Sequence, residues 1–506
     1  MTATRKLSFA PLAVLAAAVL FASCAVGPNF KKPGAPKVSS YTPTTITNTV
    51  AVTNVIGGEA QRFKTGMDIP GQWWTLFHSK PLNRLIELSL TNNPNLKSAQ
   101  AALLVAQENT KSQAGAFWPA VAGSFAASRN ASSEQLSPVP NASVFTYSLF
   151  TPQLAVSYTP DVFGLNRRTV ESLQAQAEQQ RFALLATYIT LSANVVSAAV
   201  NEASLRAQIA ATTNLIAENT KALDVLKVQF SLGYASRLDL AAQESQLASV
   251  VATLAPLLKQ LEQQRDALAV LVGAFPSQDP AETFELSGLA LPQELPLSLP
   301  SELVRQRPDV RQAEENVHSA SALIGVAIAN RIPSITLSAN AGNSSLAIDK
   351  LFSSGTAFWG LGAVATEPIF EGGMLLHKQR AAQAAYVQAA EQYRSAVLTA
   401  FQNVADTLHA LRQDANALRA AVDAERAARV TLNLTEEQLT TGYVNYLSLV
   451  AAETAYQQAV ITLVQAQANR YSDTAALFLA LGGGWWNHED ISPTKPRSTL
   501  KAMIND

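Results

Sequence analysis

Two stretches of the chain, 166–231 and 374–441, contain neither proline nor glycine. Runs of that length without a breaker predict two very long helices. The apolar positions support packing between helices. Val397, Val404, Leu411 and Leu418 recur every seven residues, and Phe401, Leu408, Ala415 and Val422 form a second row on the same face. In the first stretch Leu191, Ala198, Leu205 and Thr212 make one row. Val195, Ile209 and Ile216 make the other, which Glu202 interrupts. About 65 helical residues extend roughly 98 Å. Turns at Gly233 and Gly442 end these helices, and partner helices at 236–272 and 445–481 return to Gly273 and Gly482. Shorter helical patterns lie at 82–116 and 301–331. Between the helices, residues 153–159 and 335–340 alternate with period two. Strands are predicted at about 118–130, 147–160, 332–341 and 357–368. The alternation fits a half-buried soluble strand and a lipid-facing barrel strand alike.

The pattern occurs twice. Asn93-Pro94-Asn95-Leu96 returns as Arg307-Pro308-Asp309-Val310, an offset of 214 residues (308 − 94). Leu232-Gly233-Tyr234 returns as Thr441-Gly442-Tyr443, an offset of 209 (442 − 233). This period is too long for an ordinary solenoid and predicts a duplicated half-domain. Repeat 1 spans 73–273 and repeat 2 spans 301–482, with a linker at 274–300 and a tail at 483–506. Residues 24–72, rich in Pro, Thr, Ser, Asn and Gly, read as an extended linker.

The N-terminus predicts export. Arg5 and Lys6 precede an apolar run at 7–22, then Ser23 and Cys24. This is the order of a signal peptide, 1–23, with a transmembrane anchor as the alternative. The chain's single cysteine sits at the cleavage point, where lipid attachment explains it better than packing. Phe21-Ala22-Ser23-Cys24 is similar to a bacterial lipoprotein box, with Phe where Leu is usual. Ala25 follows, rather than the Asp that retains many lipoproteins at the inner membrane.

Composition narrows the function. The chain has 506 residues, is 48% hydrophobic and only 15% charged, and carries a formal charge of −1. A balance so close to neutral argues against a nucleic-acid partner. One cysteine excludes an intrachain disulfide framework, and five scattered histidines lack ligand spacing. No cofactor or metal is expected. After cleavage no long apolar run is expected to cross a bilayer, so a membrane-spanning form needs a closed barrel. Four strands cannot enclose a lumen, about eight give a barrel that side chains fill, and three copies would supply twelve.

Several motifs together resemble the TolC family, in its lipoprotein branch of NodT-like outer-membrane efflux proteins. The start Cys24-Ala25-Val26-Gly27-Pro28-Asn29-Phe30-Lys31-Lys32-Pro33 is similar to the family's C-x-x-G-P-x-[YF]-x-x-P. Trp73-Trp74-Thr75-Leu76-Phe77 with Pro81-Leu82-Asn83-Arg84-Leu85-Ile86 resembles its first ordered helix. Arg305-Gln306-Arg307-Pro308-Asp309-Val310-Arg311 is similar to R-x-R-P-D-[VI]-R, and Ala480-Leu481-Gly482-Gly483-Gly484-Trp485 to A-L-G-G-G-W. The resemblance implies a mainly α protein with a small β part. It implies a homotrimer with four barrel strands per chain and a periplasmic α-barrel of antiparallel coiled-coil helices, lipid-anchored at Cys24 in the bacterial outer membrane. It implies a passive exit duct for drugs or other toxic small molecules, not an enzyme. A periplasmic adaptor and an inner-membrane resistance-nodulation-division pump would be its partners. The tip contacts for the adaptor would be Gly233, Tyr234, Ser236, Arg237, Gly442, Tyr443 and Asn445. Many members carry an acidic ring at the pore constriction; here Ser448 and Ala451 occupy the matching positions. Asp239 is the only acid at the corresponding point of repeat 1, and Tyr446, Leu447 and Val450 are the expected uncharged substitute. Competing functions are an exit duct for type I protein secretion and a lipid-anchored periplasmic scaffold that forms no channel.

Other chemistry is weaker. Gly360-Leu361-Gly362-Ala363-Val364-Ala365 matches G-x-G-x-x-A but lies in a strand pattern, where a nucleotide loop cannot form. Glu314-Glu315 and Glu436-Glu437 read as solvated helix faces. His318, His377 and His409 are dispersed on helices. Trp118, Trp359, Tyr147 and Phe352 fit a membrane-interface belt or core packing equally.

Overall fold

The computed structural model describes residues 25–131, 146–278 and 280–488. The expected signal peptide, Cys24, most of the loop after residue 130 and the end of the tail lie outside the described residues. In chain order the elements are β1 (Arg62–Thr65), α1 (Lys80–Asn92), α2 (Pro94–Ala114), β2 (Ala120–Ala131), β3 (Thr146–Tyr158), α3 (Leu165–Ser231) and α4 (Arg237–Leu271). Then follow β4 (Glu294–Leu297), α5 (Pro300–Gln306), α6 (Pro308–Ala329), β5 (Ser334–Asn343), β6 (Ala357–Thr366), α7 (Met374–Thr440) and α8 (Tyr446–Ala480). The succession of two helices, two strands, a helix of 67 residues and a helix of 35 occurs twice. Proline opens α2 and α6, where its missing N–H is not needed. Asn93 caps α2 by accepting from the amides of Asn95 and Leu96.

The chain divides into two compact units. The first holds the described residues up to Pro33, with Leu104–Gln179 and Ala313–Tyr393. Its sheet is antiparallel in the order β2-β3-β5-β6. The register sorts side chains onto two faces. One carries Val121, Phe125, Leu154, Val156, Ile335, Leu337, Trp359 and Leu361. The other carries Ser124, Ser128, Gln153, Ser157, Thr336, Ser338 and Asn340. Residues 26–32 form a strap in this unit. Buried Arg168 donates to the carbonyls of Val26 and Gly27 and to Asn29 Oδ1. Phe30 stacks on His318 at 4.3 Å, and Lys32 pairs with Glu314 at 3.0 Å.

The second unit holds Gly34–Leu103, Gln180–Gln312 and the described residues from Arg394 onward. Trp73, Trp74, Phe77, Leu82, Leu85 and Ile86 are fully buried in its core, with Trp73 stacked 5.0 Å from Phe478. Of the stretches expected as linkers, 24–72 and 274–300, the part from Gly34 onward and the described residues of the second are tied down here. Their strands β1 and β4 pair in parallel, and Ile46, Ile69, Leu286 and Leu291 are buried. Arg470, fully buried on α8, donates to the carbonyls of Gly57 and Glu59 and to Gln61 Oε1. The heptad rows are buried as well, including Val404, Leu411 and Leu418. The interruption at Glu202 has a partner in the returning helix: Arg265 of α4 donates to its carboxylate at 2.9 Å, and Arg206 at 2.7 Å. The two late motifs meet each other. Arg307 donates to the Ala480 carbonyl, and Trp485 Nε1 donates to the Gln306 carbonyl.

Candidate functional site

The helical tips lie in the second unit and are built twice from the same parts. Gly233 and Gly442 have φ of +82° and +79°. The amides of Tyr234 and Tyr443 reach back to Gln229 and Gln438, while those of Gly233 and Gly442 reach Phe230 and Leu439. This is the glycine-dependent helix stop. Three residues after each glycine a polar side chain restarts the helix. Ser236 and Asp239 form a reciprocal capping box, and Asn445 Oδ1 accepts from the Ser448 amide. The sequence-derived tip residues therefore divide by task. Gly233, Ser236, Gly442 and Asn445 make the turns, whereas Tyr234 and Tyr443 are 83% and 84% exposed and Arg237 is also exposed.

The expected constriction residues fall on different faces of α8. Leu447, Ser448 and Ala451 are exposed, as are Thr454 and Ala455 further along the same stripe. Tyr446 is instead buried in a cluster with Leu226, Leu432, Leu449 and Ala452, and Val450 packs against it. The apolar cluster, not an open surface, takes these two side chains. Asp239 is occupied as a cap, accepting from the Ser236 amide and hydroxyl.

Glu453 was not singled out from the sequence as a titrating group. It is half-buried, and its Oε2 has no hydrogen-bond partner among the described residues. Burial pushes its carboxyl up to about 7, and the carboxylates of Glu436 and Glu218 push the same way. The usual value is near 4.5. Between these values the folded chain holds a proton that the unfolded chain has released. Stability from this group is therefore full below about 4.5 and falls as pH rises toward 7. Glu453→Gln is expected to flatten that slope and raise the unfolding midpoint at pH 8 relative to pH 5. Thermal melts at the two pH values check it, and an unchanged slope would assign the pH dependence elsewhere.

The second candidate surface is the sheet of the first unit. Its apolar face is exposed, including Val121, Phe125, Leu154, Trp359 and Leu361. Trp118, Trp359 and Phe352 are exposed too, so core packing within the chain does not explain them. The G-x-G-x-x-A stretch lies in β6, and its glycines make room on the polar face. A Cβ at Gly360 would stand 2.6 Å from Asn340 Oδ1, and one at Gly362 would stand 2.9 Å from Ser338 Oγ. Glu314 and Glu315 are not solvated: the first is buried against Lys32, and the second meets His318 at 3.2 Å. The expectation that no helix is apolar enough to cross a bilayer also changes. By length and composition α3 and α8 both qualify, with window hydropathies of 1.6 and 1.2. In α3 67% of that apolar stretch is already buried inside the protein, whereas in α8 17% is. No cluster that could hold a metal occurs among the described residues.

Comparison with known proteins gives similarity along nearly the whole chain. The family model described as outer membrane efflux protein matches residues 85–274 and again 299–483. The toluene efflux pump outer membrane protein TtgF of Pseudomonas putida is 28% identical over 486 residues, covering 94% of this chain and 96% of that protein. Outer membrane protein OprJ of Pseudomonas aeruginosa is 27% identical over 490 residues, covering 95% and 97%. The open-state MtrE outer membrane channel of Neisseria gonorrhoeae is similar in structure, with a TM-score of 0.78 and 26% identity over 93% of this chain and 100% of that one.

Proposed function

The chain belongs to the outer membrane efflux protein family, and from that premise we propose that it is the passive outer-membrane exit channel of a tripartite efflux pump. It works as a homotrimer. Three sheets close into one twelve-stranded barrel, with the apolar face toward lipid and the polar face toward the lumen. The helical tips receive a periplasmic adaptor, and an inner-membrane pump of the resistance-nodulation-division type supplies the energy. Cys24 carries the lipid anchor. The cargo is a class of small toxic compounds. The observation that carries this reading is the sheet itself. It has one apolar and one uncharged polar face, both exposed, in a chain whose helices are packed on each other.

At the tips, Leu447, Ser448 and Ala451 form the narrow part of the pore, and Tyr234, Arg237 and Tyr443 are the side chains offered to the adaptor. An uncharged constriction has little preference between cations and anions. Purified protein in planar bilayers is expected to form ion-conducting trimers. A water-soluble monomer without current would instead support a periplasmic scaffold. Ser448→Asp is expected to raise cation preference in single-channel recordings, because three copies would place an acidic ring in the pore. Unchanged selectivity would put Ser448 outside it. Loss of small-molecule efflux on deletion, with protein secretion unaffected, separates the pump duct from a type I secretion duct.

A further inference from the structure

On the trimeric barrel proposed above, we infer that Phe370 of one copy seats in an apolar cavity of the next copy, beside Trp118, and locks adjoining sheets at their foot. The two features stand at opposite edges of the sheet and at the same end of it. Edge strand β6 ends at Thr366, and Ile369 and Phe370 follow it with 94% and 88% of their surface exposed. None of the described residues covers them. At the other edge Trp118, 76% exposed, precedes β2. It walls a cavity of about 380 Å³ together with Phe163, Ala329, Ile332, Pro333 and Ile335. A cavity of roughly 150 Å³ is enough for a benzene ring. Asp161 also borders the cavity, but it is already engaged by the amides of Asn166 and Arg167 and by the Arg167 side chain. The rest of the lining is mainly apolar, with Trp118, Phe163, Ile332 and Ile335.

Topology brings the two together. Strands β6 and β2 run in opposite directions within the sheet, so joining copies through these edges continues the antiparallel pattern. The foot of the sheet is also stepped. Ala120 stands opposite Ser157, Ser157 opposite Ser338, and Ser338 opposite Gly362, while β6 runs on to Thr366, four residues lower (366 − 362). Barrel closure requires such a stagger to continue around the ring. One more step of the same sense places the residues before Ala120 of the next copy alongside Pro368 to Phe370. Parity agrees as well. Even-numbered residues of β2 and β6 share the polar face, and Trp118 and Phe370 continue that series. The cavity opens at the foot of the sheet and reaches this face through Ala120, Ser157 and Ser334, with Ile335 closing it from the other. Ile369, by the same alternation, turns to the lipid side.

The test is disulfide trapping in the full-length protein. Trp118→Cys/Phe370→Cys is expected to give disulfide-linked trimers on non-reducing gels, while each single variant stays unlinked and so controls for Cys24. Lysine-directed chemical cross-linking reports the trimer independently of these positions. Trimers that never form the 118–370 disulfide would overturn the seat and leave the barrel standing; absence of trimers in the wild type would overturn both. Phe370→Glu is expected to reduce detergent-stable trimer at least tenfold, with Phe370→Leu near wild type. Wild-type trimer yield from Phe370→Glu would also overturn the proposal.

Discussion

Arg470→Met is expected to destabilise the second unit by about 3–5 kcal/mol, since several buried acceptors lose their donor at about 1–3 kcal/mol each. The side chain is fully buried, so its terminal nitrogens have no water to turn to. They hold four acceptors of the segment 49–61: Thr49 Oγ1, the carbonyls of Gly57 and Glu59 and the amide oxygen of Gln61. Gln61 in turn donates to the carbonyl of Pro292 and to Thr474 Oγ1. Removing the guanidinium strands these acceptors and loosens β1, β4 and α8 together. It also removes the positive charge that opposes the upward shift of Asp414, whose carboxyl burial and neighbouring Asp473 push up to about 7. Arg470→Lys should recover part of the loss, since an ammonium keeps the charge but cannot fork to several acceptors. Denaturant unfolding measures the energy, and limited proteolysis of residues 34–72 reports the release of the segment. A methionine variant as stable and as protease-resistant as the wild type would show that the network does not hold the segment.

That network also marks the limit of what the sequence discloses. The long helices are legible because they depend on local signals. The stretches 166–231 and 374–441 lack breakers, and the structure has helices at Leu165–Ser231 and Met374–Thr440. The tip turns are legible for the same reason, since Gly233 and Gly442 supply a backbone conformation that other residues resist. The segments around β1 and β4 carry no comparable signal. They are held by pairing between Arg62 and Glu294 and by side chains far apart in sequence, so a Pro- and Ser-rich composition reads as loose linker. At the tips the difficulty is chemical. Both faces of α8 are apolar near its start, so composition alone does not tell buried Tyr446 and Leu449 from exposed Leu447 and Ala451. Glu202 shows the opposite case: a break in a heptad row that looks like a defect is a buried ion pair to the returning helix.

Adjacent residues of β2 offer the sharpest separation between the two faces of the sheet. Phe125→Arg is expected to deplete the protein from outer-membrane fractions, and Ser124→Arg to leave its amount unchanged. Phe125 shares its face with Val121, Leu154 and Trp359, whereas Ser124 stands opposite Gln153 on the polar side. In a barrel the first position meets lipid, where an arginine near the bilayer midplane is destabilising by about 2–4 kcal/mol. The second meets lumenal water, where the same guanidinium stays hydrated and acts only on passing ions. Ser124→Arg should therefore shift single-channel selectivity toward anions at undiminished trimer yield. A soluble sheet with both faces wet predicts equal tolerance of the two variants, and a sheet packed inside the protein predicts equal damage. Membrane fractionation of the pair, with conductance of the tolerated variant, therefore reads the orientation of each face one residue apart.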